Sequence, residues 1–264
     1  MYQKGLQYNT LGTYRSTISA FHTGFDGIPV GEHPEVKKLM RGINNIRPPQ
    51  PKYTAIWDVD QVLDTLRTLY PNETLSAKLL TEKTCTLLGL IAIPRGCELS
   101  YMDTKLMGKA KNLYSFSFNR NFKASKQGKR ASDLHIHEFE EDAAICPVRT
   151  LDAYLEMTKP WRDSNGETQL FLSHINPHDK VVKCTIAKWV KNMLKLAKVD
   201  TTTYQAHSLR SASSSKAKIR GLSLEDILKR GTWPSSSTWQ KFYHKPIRSP
   251  SLEYQNSVLR SKKL

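Results

Sequence analysis

The chain has 264 residues and a formal net charge of +16, from 40 lysines and arginines against 24 aspartates and glutamates. So strong a positive balance indicates a polyanionic partner, and 39% hydrophobic residues in long periodic segments favour a packed globule over a disordered basic protein. The four scattered cysteines form no C-x-x-C pair and no apolar run approaches the roughly eighteen residues of a membrane helix, so we expect no disulfide framework, no zinc site and no membrane partner.

Two amphipathic helices are predicted in the N-terminal part of the chain. Apolar residues at helical spacing predict the first over residues 10–25, with Thr10 as its cap, and the second begins at Pro34. Residues 47–55 contain three prolines, which favour an extended, semi-rigid linker between domains. An ordinary loop between helices would have a similar composition.

The middle of the chain predicts a mainly helical body with a small antiparallel sheet, an α+β fold. Asp58 is expected to cap a helix, and the apolar stretch 75–93 predicts a long buried helix that Pro94 ends. Residues 113–118 and 133–139 alternate as strands do, with a basic glycine turn between them. The remaining predicted elements are a helix over 147–157, a short strand over 169–173, a basic amphipathic helix over 185–198, and a helix that Ser223 begins and Gly231 ends.

Four side chains between residues 203 and 246 suit chemistry on a phosphodiester: His207, Arg210, Trp233 and Tyr243. A tyrosine phenol has a pKa of about 10, so a site that uses it as a nucleophile must remove its proton and neutralise the phosphate charge together. Arginine binds two phosphate oxygens with its planar fork, histidine titrates near neutral pH, and an indole N–H can only donate. The four residues are therefore a candidate proton acceptor, anion clamp, hydrogen-bond donor and nucleophile.

The order and spacing of these residues resemble the C-terminal signature of the tyrosine recombinase (phage integrase) family. Residues 207–210, HSLR, fit its H-x-x-R motif, and residues 231–233, GTW, precede Tyr243, which lies ten positions after the tryptophan. Upstream, residues 95–99, RGCEL, resemble the family's R-x-S-E-L turn, with cysteine in place of serine. The family also has a lysine in the tight turn of a β-hairpin. The basic glycine turn of this chain, residues 125–129, SKQGK, resembles that turn.

The resemblance implies a catalytic set of six residues: Arg95, Lys126, His207, Arg210, Trp233 and Tyr243. Tyr243 would attack the scissile phosphate to form a 3′-phosphotyrosyl link, and His207 would accept or relay its proton. The two arginines and Trp233 would bind the non-bridging oxygens, and the lysine would protonate the leaving 5′-oxygen. That lysine is Lys126 or Lys129, and we favour Lys126. Such a site needs no metal, ATP or other cofactor.

The same resemblance implies a domain organisation and a class of partner. We expect a partial helical DNA-binding (core-binding) domain over 1–46, the proline-rich linker over 47–55, the catalytic domain over 56–245 and a basic tail over 246–264. The expected partners are double-stranded DNA and further copies of the chain, as a dimer or tetramer on DNA. The ending WPSSSTWQKFY is most similar to recombinases of eukaryotic mobile elements such as DIRS-like retrotransposons, which implies an intracellular protein, nuclear in a eukaryote.

Three other interpretations remain open. The chain could be a catalytically decayed DNA-binding remnant of a mobile element; the complete set of six residues argues against decay, but the short N-terminal region and Cys97 keep this interpretation open. A relaxing topoisomerase uses a similar site but needs a longer chain to clamp DNA. His135 and His137, two residues apart on a predicted strand, could ligate the metal of a nuclease, although no third ligand has matching spacing. EDTA would abolish that last activity but not the tyrosine mechanism.

Overall fold

Ten α-helices and one three-stranded antiparallel sheet form the framework of the computed structural model, which describes residues 2–50, 52–94, 96–119, 133–247 and 259. The predicted class, mainly α with a small antiparallel sheet, is confirmed. The chain divides into two compact units, 1–52 and 53–264, and this boundary falls within residues 47–55. The roles assigned to the two units stay predictions. Within the described ranges, no helix is both long and apolar enough to span a bilayer.

The first unit consists mainly of two helices, α1 (Tyr8–Phe21) and α2 (Pro34–Ile46). Both helices contribute apolar residues to one small core, because each has an apolar stripe at helical spacing. The buried members of this core are Leu11, Met40 and Ile43. A core of this size is small, so much of the surface of both helices stays in water.

The ends of α1 differ from the sequence-based prediction, whereas the start of α2 matches it. Helix α2 begins at Pro34, where the missing N–H of proline costs no helical hydrogen bond. Helix α1 begins at Tyr8 rather than at a Thr10 cap. Tyr8 packs against the small core, so the residues before Thr10 are already part of the packed helix. Phe25 is not helical: it pairs with Ile28 across a tight turn.

Eight further helices build the described part of the second unit. The apolar faces of most of them form one main core around α4, which packs against α6, α7 and α8. Ile227 on α9 and Trp239 on α10 belong to a smaller cluster with Ile93 and Trp233. The eight helices are α3 (Val59–Thr68), α4 (Ala77–Ala92), α5 (Gly96–Leu99), α6 (Pro147–Asn165), α7 (Lys183–Leu196), α8 (Ser208–Ile219), α9 (Leu224–Arg230) and α10 (Ser236–Phe242).

Helix α4 carries the apolar run predicted over 75–93 and is buried on nearly all sides. Ser76 caps it by accepting a main-chain hydrogen bond at 3.4 Å. Helix α8 approaches closely at Gly89, where a Cβ would lie only 2.8 Å from Leu209 Cδ2. The chain leaves α4 through Ile93 in the left-handed conformation, with a φ of 41°. Helix α4 is therefore a central scaffold that brings its C-terminal end close to α8.

The sheet contains the strands β1 (Met107–Ala110), β2 (Leu113–Phe116) and β3 (Leu134–His137) in that order, all antiparallel. Strands β2 and β3 lie where alternation predicted them. Strand β1 was not predicted, because its sequence MGKA has no apolar alternation and it is extended only through its ladder with β2. Residues 120–132, between β2 and β3, lie outside the described residues.

Two predictions in the C-terminal half were wrong in extent or type. Helix α6 runs to Asn165 rather than to residue 157, although Pro160 removes one helical hydrogen bond. The extra turns are held because Arg162 donates to the main-chain carbonyls of the following loop. Residues 169–173 make isolated bridges rather than a strand, because their partners are single residues, Asp103 for Gln169 and Lys180 for Leu172.

Candidate active site

Helix α8 brings two of the predicted site residues to the end of α4. His207 occupies the N-cap position and is exposed, whereas Arg210 lies in the first turn with only 3% of its surface exposed. Between them, Leu209 packs into the space that Gly89 leaves on α4. Residues three apart lie on neighbouring positions of one helix face, so the H-x-x-R spacing directs both side chains to the same place.

The Arg210 guanidinium joins separate segments of the chain. One terminal nitrogen donates to the Ile93 carbonyl at the end of α4, and the other donates to the Gly231 carbonyl after α9, at 2.7 Å. The cation lies 4.6 Å from the centre of the Trp233 ring and 5.5 Å from that of the Tyr243 ring. Arg210 is therefore a structural tie as well as the predicted phosphate clamp.

The turn from Gly231 to Trp233 places an indole against the site. Trp233 is 7% exposed and its ring folds back over Gly231, where a Cβ would lie 1.9 Å from ring atom Cζ3. Thr232, between them, has a φ of 51°. Trp233 Nε1 is buried and has no hydrogen-bond partner among the described residues. A buried N–H without a partner costs free energy, so this donor is suited to bind an atom of a ligand.

Gly231→Ala is expected to lower the free energy of unfolding by about 1 to 3 kcal/mol, because the alanine Cβ and the Trp233 ring cannot occupy the same space. Thermal unfolding followed by circular dichroism measures the loss. Gly12→Ala is a matched control, since a Cβ at Gly12 in α1 meets no atom within 4 Å and alanine favours a helix. A Gly231→Ala protein as stable as the wild type would contradict this packing.

Tyr243 follows the last residue of α10 and is held to α8 through its main chain. Its carbonyl accepts hydrogen bonds from the hydroxyls of Ser211 and Ser215, the second at 3.2 Å. Its N–H donates to the Trp239 carbonyl at 2.8 Å. Because α8 also carries Arg210, the same helix holds the candidate nucleophile and the candidate anion clamp.

The side chains of His207 and Tyr243 contact each other directly. His207 Nε2 lies 3.3 Å from Tyr243 Oη, and the two rings meet edge to face with their centres 5.7 Å apart. The Tyr243 ring also lies 4.7 Å from the Trp233 ring. In the tautomer with its proton on Nδ1, an imidazole accepts a proton at Nε2. The arrangement can therefore pass a phenol proton to an imidazole beside a buried cation.

The structure brings four of the six predicted residues into one cluster, although 36 positions separate the first from the last. These four are His207, Arg210, Trp233 and Tyr243. Arg95, Lys126 and its alternative Lys129 lie outside the described residues. Their assignment to the site stays a prediction.

Arg230 ties the sheet to this cluster. Its Nη2 donates to the His135 carbonyl on β3 and its Nε donates to the Ile91 carbonyl on α4, each at 3.1 Å. The side chains of His135 and His137 lie on the exposed face of β3, as their spacing predicts. Across the described ranges, no three His, Cys, Asp or Glu side chains are grouped closely enough to hold a metal ion. Because Arg230 directly precedes Gly231 and its side chain is bonded to β3, this strand, which follows the predicted lysine turn, is fixed next to the Gly231 turn.

Solved recombinase structures resemble this chain over nearly its whole length. The XerH site-specific recombinase, in a post-cleavage complex with a palindromic difH substrate, is 14% identical and matches 97% of this chain and 69% of its own, with a TM-score of 0.63. The Tn1549 transposon integrase bound to transposon right end DNA is 15% identical and matches 99% and 82%, with a TM-score of 0.56. The XerA recombinase is 15% identical and matches 97% of this chain and 84% of its own, with a TM-score of 0.52. The chain has the tyrosine recombinase fold. No family model and no curated protein matches the sequence.

Within the tyrosine recombinase fold, three residues at the site were missed by sequence reasoning: Ser211, Ser215 and Arg230. From the sequence alone, the serine runs at 213–215 and 235–237 could either hydrogen-bond phosphates or begin helices, and helix starts are favoured. Ser235 does cap α10, but the first run lies inside α8. The spacing of four between Ser211 and Ser215, which places both hydroxyls on one helix face, is the signal that could have linked them.

Proposed function

We propose that the protein cleaves and rejoins DNA strands in site-specific recombination or integration, through a covalent link between Tyr243 and a 3′-phosphate. The tyrosine recombinase fold supports this class of reaction. The observation that carries the proposal is the 3.3 Å contact between His207 Nε2 and Tyr243 Oη, beside the Arg210 cation. A proton acceptor, a nucleophile and a fixed positive charge are the parts that phosphoryl transfer to a phenol requires.

In the first proposed step, Tyr243 Oη attacks the scissile phosphorus and the phenol proton passes to His207 Nε2. Arg210 and Arg95 bind the charge that builds up on the non-bridging oxygens, and the Trp233 N–H donates a further hydrogen bond. Loss of one such donor typically lowers the rate by about a hundred- to a thousandfold. Because the Arg210 guanidinium is held by main-chain carbonyls, its charge is oriented before DNA binds.

In the second step, the bond between phosphorus and the 5′-oxygen breaks and Lys126 gives the departing oxygen its proton. The products are a 3′-phosphotyrosyl link and a free 5′-hydroxyl. A 5′-hydroxyl from another strand then attacks the same phosphorus and gives its proton to Lys126, while Tyr243 leaves and recovers its own proton from His207. One phosphorus–oxygen bond forms for each that breaks, so the exchange requires no ATP.

Double-stranded DNA is the proposed partner, bound by a dimer or tetramer. The net charge of +16 supports a phosphate-rich partner, because lysines and arginines that neutralise phosphates release bound counterions. The similar XerH and Tn1549 structures were both solved with DNA. Affinity dominated by phosphate contacts falls steeply as the salt concentration rises.

A nicked suicide duplex tests the proposal, because the short 5′-hydroxyl fragment diffuses away and the covalent complex cannot reverse. Incubation in EDTA is expected to give a band on a denaturing gel that is shifted by the attached strand and removed by protease. Loss of cleavage in EDTA would favour a metal-dependent nuclease. The absence of a band, with DNA still retained on a filter, would favour a decayed DNA-binding protein.

A further inference from the structure

Residues 53–57, which we call the anchor segment, form hydrogen bonds with residues close in sequence to His207 and with a residue that follows Tyr243. This segment begins the second unit and includes the end of the predicted linker. Three hydrogen bonds hold it: the Tyr204 hydroxyl donates to the Ala55 carbonyl at 3.1 Å, the Ile56 N–H donates to the Pro246 carbonyl at 2.9 Å, and the Trp57 indole N–H donates to Ser208 Oγ at 2.8 Å.

Two of these bonds reach residues next to the reacting pair. Ser208 directly follows His207 in the chain, and Pro246 lies just beyond Tyr243. Trp57 is 6% exposed and Ser208 is 2% exposed, so the bond between them is shielded from water. A buried hydrogen bond keeps a defined geometry, because breaking it leaves both groups without a partner.

The Tyr53 ring and an ion pair extend the same contact. The centre of the Tyr53 ring lies 5.1 Å from that of Tyr204. Burial, followed by the nearby phenols of Tyr204 and Tyr243, raises the pKa of Tyr53. Beyond the anchor segment, Asp60 pairs with Lys216 on α8. This stretch of chain is therefore fixed along the length of α8.

We propose that the anchor segment positions His207 against Tyr243, with Trp57 as the positioning residue; this inference rests on the proposed function. The Trp57–Ser208 bond fixes the start of α8, where His207 lies, and the main-chain bond to Pro246 fixes the path of the chain that leaves Tyr243. A displacement of about 1 Å in a reacting pair can lower a rate by about a hundredfold. The end of the linker is thereby part of the site.

Trp57→Phe and Ser208→Ala test this role, since the first removes the indole N–H but keeps an aromatic ring and the second removes the acceptor. Each is expected to lower the single-turnover rate of covalent complex formation about ten- to a hundredfold at saturating suicide duplex. The DNA concentration that gives half the maximal rate is expected to change by less than about twofold. The double variant should be no slower than the slower single variant, because both changes remove one bond.

Trp189→Phe is the matched control, because Trp189 is 4% exposed in the same main core but lies on α7. Hydrogen exchange of peptides from residues 236–247 gives a readout independent of cleavage, and it is expected to rise in Trp57→Phe and Ser208→Ala but not in Trp189→Phe. A wild-type protein that forms no covalent complex would overturn the proposed function. Wild-type rate and exchange in Trp57→Phe, or an equal loss in Trp189→Phe, would overturn the positioning role alone.

Discussion

Tyr243→Phe is expected to abolish covalent attachment to DNA, with a loss of rate of at least about a thousandfold, because the substitution removes the attacking oxygen. The fold should persist, since phenylalanine keeps the ring contacts with Trp233 and Arg210 and loses only the 3.3 Å contact with His207. A time course with the nicked duplex, read on a denaturing gel, measures the loss. Filter binding should show unchanged affinity for DNA.

Tyr70→Phe is the matched control for the loss of a phenol oxygen. Tyr70 is 48% exposed and its ring lies near Lys83. It is more than a hundred positions before His207, the first of the four clustered site residues. This variant is expected to form the covalent complex at the wild-type rate. A protease-sensitive band of undiminished intensity in Tyr243→Phe would mean that another side chain is the nucleophile.

A mixture of Tyr243→Phe and Arg210→Ala proteins is expected to remain as inactive as either variant alone. The reason is that the Tyr243 carbonyl is held by Ser211 and Ser215 on the helix that carries Arg210. We therefore expect each copy to supply its own nucleophile and its own clamp, so that a residue missing from the site of one copy cannot be replaced by the same residue of another copy. The measurement is covalent complex formed by an equimolar mixture on a duplex that binds two copies.

Arg210→Ala also removes ties to two main-chain carbonyls, so its thermal unfolding must be compared with that of the wild type. His207→Ala provides a second pairing that avoids this loss, because His207 is exposed and its substitution creates no cavity. Both mixtures are expected to stay inactive. Recovery of a substantial fraction of wild-type activity in either one would mean that the tyrosine acts on a phosphate bound by a neighbouring copy.

The elements that the sequence predicted well are those whose ends or apolar faces are determined by residues close together in the chain. Asp58 and Ser223 each accept a main-chain hydrogen bond at the helix start they were expected to cap. Pro34 begins α2, and the apolar run 75–93 forms a buried helix within those bounds. In each case, the residues that decide the structure are neighbours in the chain.

The elements that the sequence did not predict depend on distant partners. Strand β1 has no alternation of its own and is extended because β2 pairs with it. Helix α6 continues past Pro160 because Arg162 is bonded to the loop that follows. A pattern search within a short window contains neither partner, so it assigns β1 to a loop and ends α6 early.

The candidate site shows the same division. Order and spacing were sufficient to select His207, Arg210, Trp233 and Tyr243, which the fold brings together. The two carbonyls that hold Arg210 are 117 and 21 positions away, so no local pattern could predict them. The need for Gly231 likewise follows from the position of an indole ring that only the folded turn defines.

The most direct test of the account identifies the residue that carries DNA. The covalent complex trapped on the nicked duplex is digested with nuclease and trypsin, and the peptide that retains a nucleotide is sequenced by mass spectrometry. We predict a nucleotide on Tyr243 in the peptide spanning residues 242–248. A nucleotide on any other side chain, or cleaved DNA with no modified peptide, would contradict the assignment of Tyr243 as the nucleophile.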